Sequence, residues 1–270
     1  MLAMTQSRQQ QRRLHREYVK LGRAAIAAGL PAQPQRDTVL GVALILKSKL
    51  MERGNDSRAD QAAGIAHALI EKSLTARPPT LSIACRKGCA YCCYSFVGVT
   101  APEVFRLANA VRKSRNGALT IEGVRARGLA LQGLSAVERP GRKLPCPLLM
   151  NDMCGVYHGR PMVCRQASSL SLDACVDEFE NAGRYAEIPV SSLHLAYASN
   201  VHVAFLGALE AVGFPSEAYE LSAALDIALS RSDAEKRWLI GEPVFANLQA
   251  VVRPSSDVEL VARRIAERIT

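Results

Sequence analysis

The chain has no cysteine before position 85 and none after position 175, yet it carries eight. It also lacks an uncharged apolar run approaching the ~18 residues that a membrane-spanning helix needs. The best stretch, Val201 to Phe214, is shorter and is interrupted by Glu210. A secretory or twin-arginine leader is not supported, because Arg12-Arg13 is followed by Leu14-His15-Arg16-Glu17 instead of an apolar core. Aromatic residues make up only 5%, with Trp238 the single tryptophan, so no basic–aromatic platform for unpaired bases is evident. There is no glycine-rich strand-to-helix turn of the G-x-G-x-G kind. Internal repeats, heptad runs and low-complexity tracts are missing as well. These absences predict a cytoplasmic protein, away from membranes, whose thiols stay reduced.

What is present is ordinary in bulk. At 270 residues, 49% hydrophobic and 22% charged, the chain can bury one large core or two modest ones without disulfides. Abundant Ala, Leu and Arg favour helix over sheet. The expected fold is mainly α: a helical protein with a central, loop-rich, cysteine-rich metal-binding domain. Three parts are expected: an N-terminal basic arm and helices over 1–79, the cysteine cluster over 80–185, and a C-terminal helical region over 186–270.

Apolar spacing predicts helices over Val39 to Met51 and Gln61 to Leu74, the latter with Ile65, Ala68, Leu69 and Leu74 inward. Gly54-Asn55-Asp56 should turn between them, and Arg77-Pro78-Pro79 should end the second. Residues 1–36 read as a solvated, partly helical arm. Phe96 to Val99 is at most a short strand, and Thr100-Ala101-Pro102-Glu103 is a capping box opening a helix with Val104, Leu107, Ala108 and Val111 inward. A helix over Ile121 to Leu131 and a loop over 132–145 follow. Leu193, Tyr197, Val201, Ala204, Ala208 and Val212 form a helical stripe that Gly213 and Pro215 terminate. Ser216 to Ser230 reads as one further helix, and Ser232–Glu235 and Ser256–Glu259 as two more capping boxes.

The net charge of +9 is uneven: +6 over 1–36, +1 over 37–79, +9 over 80–170 and −7 thereafter. Such a balance suits an acidic protein or nucleic-acid partner. It equally suits compensation of eight thiolates in the central segment.

The first four cysteines read Cys85-x3-Cys89-x2-Cys92-Cys93, and the others are Cys146, Cys154, Cys164 and Cys175. Short spacing lowers the entropy of closing a chelate loop, and Gly88 permits the tight backbone that needs. Two groups of four match two tetrahedral thiolate sites, or one four-iron cluster and one zinc. Adjacent cysteines bridge poorly, which argues against disulfides. Pro147 and Pro161 stiffen the chain beside Cys146 and Cys164, while Arg160 and Arg165 can donate to thiolates, carbonyls or acids such as Asp177 and Glu178. Tyr157 reads as packing around the site. His158 is not needed as a ligand, and His194 and His202, without acidic neighbours in sequence, read as packed or surface residues.

The blocks Cys85–Cys93, Cys146-Pro147-Leu148-Leu149, Cys154-Gly155-Val156-Tyr157 and Arg160-Pro161-Met162-Val163-Cys164-Arg165 resemble, in that order, the YkgJ-type cysteine-cluster proteins. These are also called the CxxCxxCC family of zinc- or iron-chelating domains. The resemblance covers roughly residues 81–175 and implies that all eight cysteines form the metal set. One branch of that family is the flagellin lysine-N-methylases, so the resemblance admits a metal-dependent methyl-transferring enzyme. Cys85-x3-Cys89-x-Tyr91-Cys92 also satisfies the spacing of radical SAM enzymes, but helices instead of barrel strands follow it. That spacing tilts the expectation from zinc towards an iron–sulfur cluster for at least one site. The functions in view are therefore a metal-binding cysteine-cluster protein, a metal-dependent enzyme of the methylase kind, and a basic nucleic-acid-binding module with structural zinc.

Overall fold

Local signals decide where the helices begin and end, while distant contacts decide which faces they bury. A computed structural model describes residues 8–114, 120–181, 188–251 and 256–270. The expected N-terminal arm is a continuous helix, α1 (Arg8–Ala28), whose first half is exposed and whose second half packs on α2 (Arg36–Leu50). Val39, Leu40, Val42, Ala43, Leu44, Leu46 and Leu50 of α2 are all buried, so this helix needs neighbours on most sides. Gly22 and Gly41 meet where α1 crosses α2, and a Cβ on either would run into the other helix's backbone carbonyl.

Helix α3 (Arg58–Ala76) begins after the turn at Gly54 (φ +72°) and stops before the two prolines, as expected. Its buried face is built mainly from small residues, Ala59, Ala62, Ala63 and Ala66, with Leu69 and Ile70. Ala68 is exposed, contrary to the sequence expectation, because neighbouring helices approach along the alanine row.

Strand β1 (Gly98–Thr100) leads into α4 (Ala101–Lys113). Glu103 accepts both the N–H and the hydroxyl of Thr100, and Val104, Leu107, Ala108 and Val111 are buried. Helix α5 (Ile121–Leu129) is capped by the Thr120 hydroxyl, which accepts the Gly123 N–H. The stretch expected to be loop holds a short helix, α6 (Glu138–Arg142). Strands β2 (Leu149–Met150) and β3 (Met153–Cys154), then helices α7 (Met162–Gln166) and α8 (Leu172–Glu180), complete the cysteine segment.

Helix α9 (Ser192–Ala211) carries the predicted stripe, with Tyr197, Val201, Ala204 and Ala208 buried and Gly213 (φ +76°) beyond its end. It packs on α2, α3, α7 and α12 (Ser256–Ile269), so α2 and α9 form the centre of the helical assembly. Residues expected to open one long helix instead form strand β4 (Ala218–Glu220), followed by α10 (Leu221–Ser230). The cause is pairing across the chain: β4 runs antiparallel to β1, with Gly98 opposite Glu220 and Thr100 opposite Ala218. Helix α11 (Ala234–Leu239) lacks the predicted capping box, because Asp233 makes no cap bond and Glu235 accepts the Asp60 N–H at the start of α3. The second predicted box involves the Ser256 side chain, which lies outside the described residues.

One hydrophobic cluster joins the helices with Leu148, Val156 and Met162 of the cysteine segment. Among the described residues no helix is long and apolar enough to cross a membrane.

Candidate metal centre

The cysteines lie on irregular chain, at Cys85, Cys89 and Cys146, or on short helical turns and strands. Gly88 (φ +85°) permits the turn in which the Cys89 N–H reaches the Arg86 carbonyl, and a single 3-10 turn over Tyr91–Tyr94 presents Cys92 and Cys93. The Cys146 N–H donates to the Cys93 carbonyl at 2.7 Å, fastening the second group of cysteines to the first. Asn151 and Asp152 both take positive φ, +48° and +58°, making the two-residue turn that folds β3 back on β2 and sets Cys154 opposite Leu149. Cys164 sits in α7 and Cys175 in α8. Phe179 of α8 packs edge-on against Tyr91 and Tyr94, at 5.5 and 4.8 Å between ring centres, which docks α8 over the first motif.

All eight cysteines are free thiols. They fall into two neighbourhoods that meet at Cys92. Burial raises the Cys85 thiol, opposed by the Ser169 N–H donated to its Sγ at 3.2 Å, and Cys89, Cys92 and Cys175 raise it further. Burial pushes Cys146 up to about 12, with Cys154 adding to it, and raises Cys164 well above its ordinary range, with Cys146, Cys92 and Cys154 adding to that. The hydrogen bond shared by the adjacent thiols lowers Cys92 to about 7 and raises Cys93, which Cys146 and Cys164 also face. The outer neighbourhood is thus Cys85, Cys89 and Cys175, the inner one Cys93, Cys146, Cys154 and Cys164, with Cys92 between them.

Among the described residues, no three His, Cys, Asp or Glu side chains stand together in a ready ligand arrangement. The thiols are gathered but not closed. Their chemistry fits a soft or borderline cation, because several thiolates can share a buried space only when a positive charge offsets their repulsion.

Between them the flanking arginines bond backbone carbonyls, as expected, and also a carboxylate that the sequence did not mark. Arg165, almost fully buried, donates to the carbonyls of Arg160 and His158 and pairs with Glu71 of α3. Arg160 also pairs with Glu71 at 3.3 Å and lies 4.1 Å over the exposed Tyr157 ring. Arg165 thus donates to backbone carbonyls, one of the roles expected of the pair, and the acid that both arginines bind is Glu71. They nevertheless lie near the thiols: Arg160 favours the charged forms of Cys92 and Cys154, and Arg165 that of Cys154.

Glu103 makes a second tether. Its carboxylate accepts the Met162 N–H at 2.8 Å, capping the helix that carries Cys164, and faces His67 Nε2 at 3.4 Å. Burial alone would raise Glu103, but His67, His202 and the Met162 N–H outweigh it and hold the carboxyl at about 2. Burial lowers His67, whose Nδ1 has no hydrogen-bond partner. His194 bonds the Ser191 hydroxyl at 3.1 Å, while His202 has the acidic neighbour Glu103 that local sequence did not reveal. Arg139 is the remaining residue the sequence reading missed: buried, it lies near Cys146 and pairs with Glu220 at 3.8 Å.

No curated protein and no solved structure matches this chain. Residues 84–185 match the CxxCxxCC family model, described as a putative zinc- or iron-chelating domain, so the segment holding all eight thiols carries the pattern of a metal-chelating domain.

Proposed function

We propose that the chain holds metal in two thiolate sets: an outer set of Cys85, Cys89, Cys92 and Cys175, and an inner set of Cys93, Cys146, Cys154 and Cys164. The observation that carries this reading is geometric: the Cys146 N–H bonds the Cys93 carbonyl within the inner set, and Phe179 packs on Tyr91 and Tyr94, laying the Cys175 helix over the outer one. The inner set is a structural zinc site, supported by its four half-buried thiols and by the Glu71 and Glu103 tethers beside it. The outer set is an iron–sulfur site, supported by the compact C-x3-C-x2-C spacing and by the exposure of Cys85 and Cys92. A cluster bound there would supply electron transfer or Lewis-acid chemistry at iron. Arg160 and Arg165 keep positive charge beside Cys92 and Cys154, and Tyr157 supports the Arg160 guanidinium. Free thiols in this number belong in a reducing compartment, the cytoplasm.

The test is metal and sulfide analysis of protein purified without oxygen, with its visible absorption. Wild type should be brown, and Cys85→Ser should lose iron and sulfide while keeping zinc. Cys164→Ser should lose zinc first. Colourless protein with zinc in both sets refutes the iron–sulfur assignment, and less than one metal per chain refutes the whole reading.

A further inference from the structure

We infer that the outward face of α1 is a docking surface for the phosphate backbone of a double-stranded nucleic acid. At about 100° per residue, Arg8, Arg12, Arg13, Arg16, Lys20 and Arg23 all fall, with His15, within roughly 160° of the helix circumference. All six Lys and Arg side chains are exposed, and among the described residues none pairs with a carboxylate. Glu17, the helix's one acid, lies outside that arc. A shallow depression lined by His15, Arg16, Val19, Lys20 and Arg23 runs along the same face. Arg8, Arg12, Arg16 and Lys20 are successive one-turn neighbours, a ladder of positive charge about 18 Å long.

Elsewhere α1 is committed to packing: Gly22 and Ala25 are buried and Tyr18 packs on the common core, while Val19 and Ile26, within the basic arc, are half-buried against that core between the exposed cations. Leu14 is the only large apolar residue of α1 counted as exposed, so a lipid bilayer would find almost nothing to bury. Five guanidiniums with intervening glutamines suit phosphate oxygens, which arginine grips through paired N–H donors. A single strand is disfavoured because no row of aromatic side chains lies along this face to stack bases. A duplex read through its phosphates alone, without sequence preference, fits best.

The experiment uses the full, metal-loaded chain and a fluorescent duplex of about two helical turns, with anisotropy measured over a range of salt. Four to six neutralised phosphates predict a slope of log affinity on log salt of about −4 to −5. Arg12→Gln/Arg16→Gln/Lys20→Gln should weaken binding by about tenfold or more near 0.1 M salt and flatten the slope by about 2 to 3. Arg8→Glu/Arg13→Glu, on the projecting turns, should weaken it likewise. Arg263→Gln/Arg264→Gln/Arg268→Gln removes the same charge from α12 and should behave as wild type. Far-UV circular dichroism and metal content establish that each variant is folded. Negligible duplex binding at low salt overturns the inference, as does an equal loss in the α12 variant. Tighter, α1-dependent binding to phosphatidylserine–phosphatidylcholine vesicles overturns it too.

Discussion

The helices around α2 and α9 and the segment that carries the thiols are stabilised in different ways. In the first, alanine, leucine and valine side chains interlock over long helices, and Tyr197, Phe205, Leu40 and Leu46 are fully buried. In the second, apart from α4, elements of two to nine residues expose much of their surface, and the order comes from turns, caps and charged tethers. Apolar burial is additive and tolerant of small shifts, whereas a ligand cluster depends on a few atoms at set positions. The molecule joins the two by running carboxylates from the helical part, Glu71 and Glu103, into the thiol-bearing part.

The largest separation between the regions should follow removal of metal. An anaerobic chelator should abolish amide-exchange protection across residues 84–97 and 146–181 while leaving far-UV helicity and the protection of α4 largely intact; parallel loss of both would mean the regions fold only as one unit. Phe205→Ala should cost about 3–5 kcal/mol in denaturant titration, because it opens a void at the centre of α9. Glu103→Gln should cost roughly 1–3 kcal/mol by weakening the cap on α7, and should also speed metal transfer to a chelator. That second readout distinguishes a tether from a merely stabilising contact.

The pH dependence sharpens the same point. Glu103 has a depressed folded value of about 2 against an ordinary 4.5, so its contribution is complete above the ordinary value and is lost as pH falls towards about 2. Acid titration of Glu103→Gln should therefore show a shallower decline than wild type over that window. Smallest of all, Lys236→Ala should change stability by less than about 0.5 kcal/mol, since the pair it forms with Asp56 is exposed.

Features set by neighbours in sequence were legible in the chain itself. The Thr100–Glu103 start of α4 and the apolar stripe of α9 both appear where the spacing predicts them. The β1–β4 pair was not legible, because each strand is three residues long and its partner lies more than a hundred positions away. For the same reason Ser216–Glu220 read as helix, and Glu235 read as a local cap although it serves α3. At the thiol site the cysteines announced themselves through spacing, and residues 84–185 match the family that spacing suggested. Glu71, His67 and Arg139 carry no such mark, since nothing beside them in sequence distinguishes a tether from a solvated charge. Two missed features did carry a local signal: the Asn151-Asp152 turn, whose residue types tolerate positive φ, and Ser135-x-x-Glu138, whose side chains and backbone N–H groups bond reciprocally ahead of α6.

The crossing of α1 over α2 has a consequence for how this sequence can change over time. Gly22 and Gly41 block each other, so no single exchange to a larger residue is accepted at either without prying the helices apart. The charged turns ahead of the crossing face no such veto. Drift can therefore rewrite what α1 offers to the outside while the joint on which it is mounted stays the same.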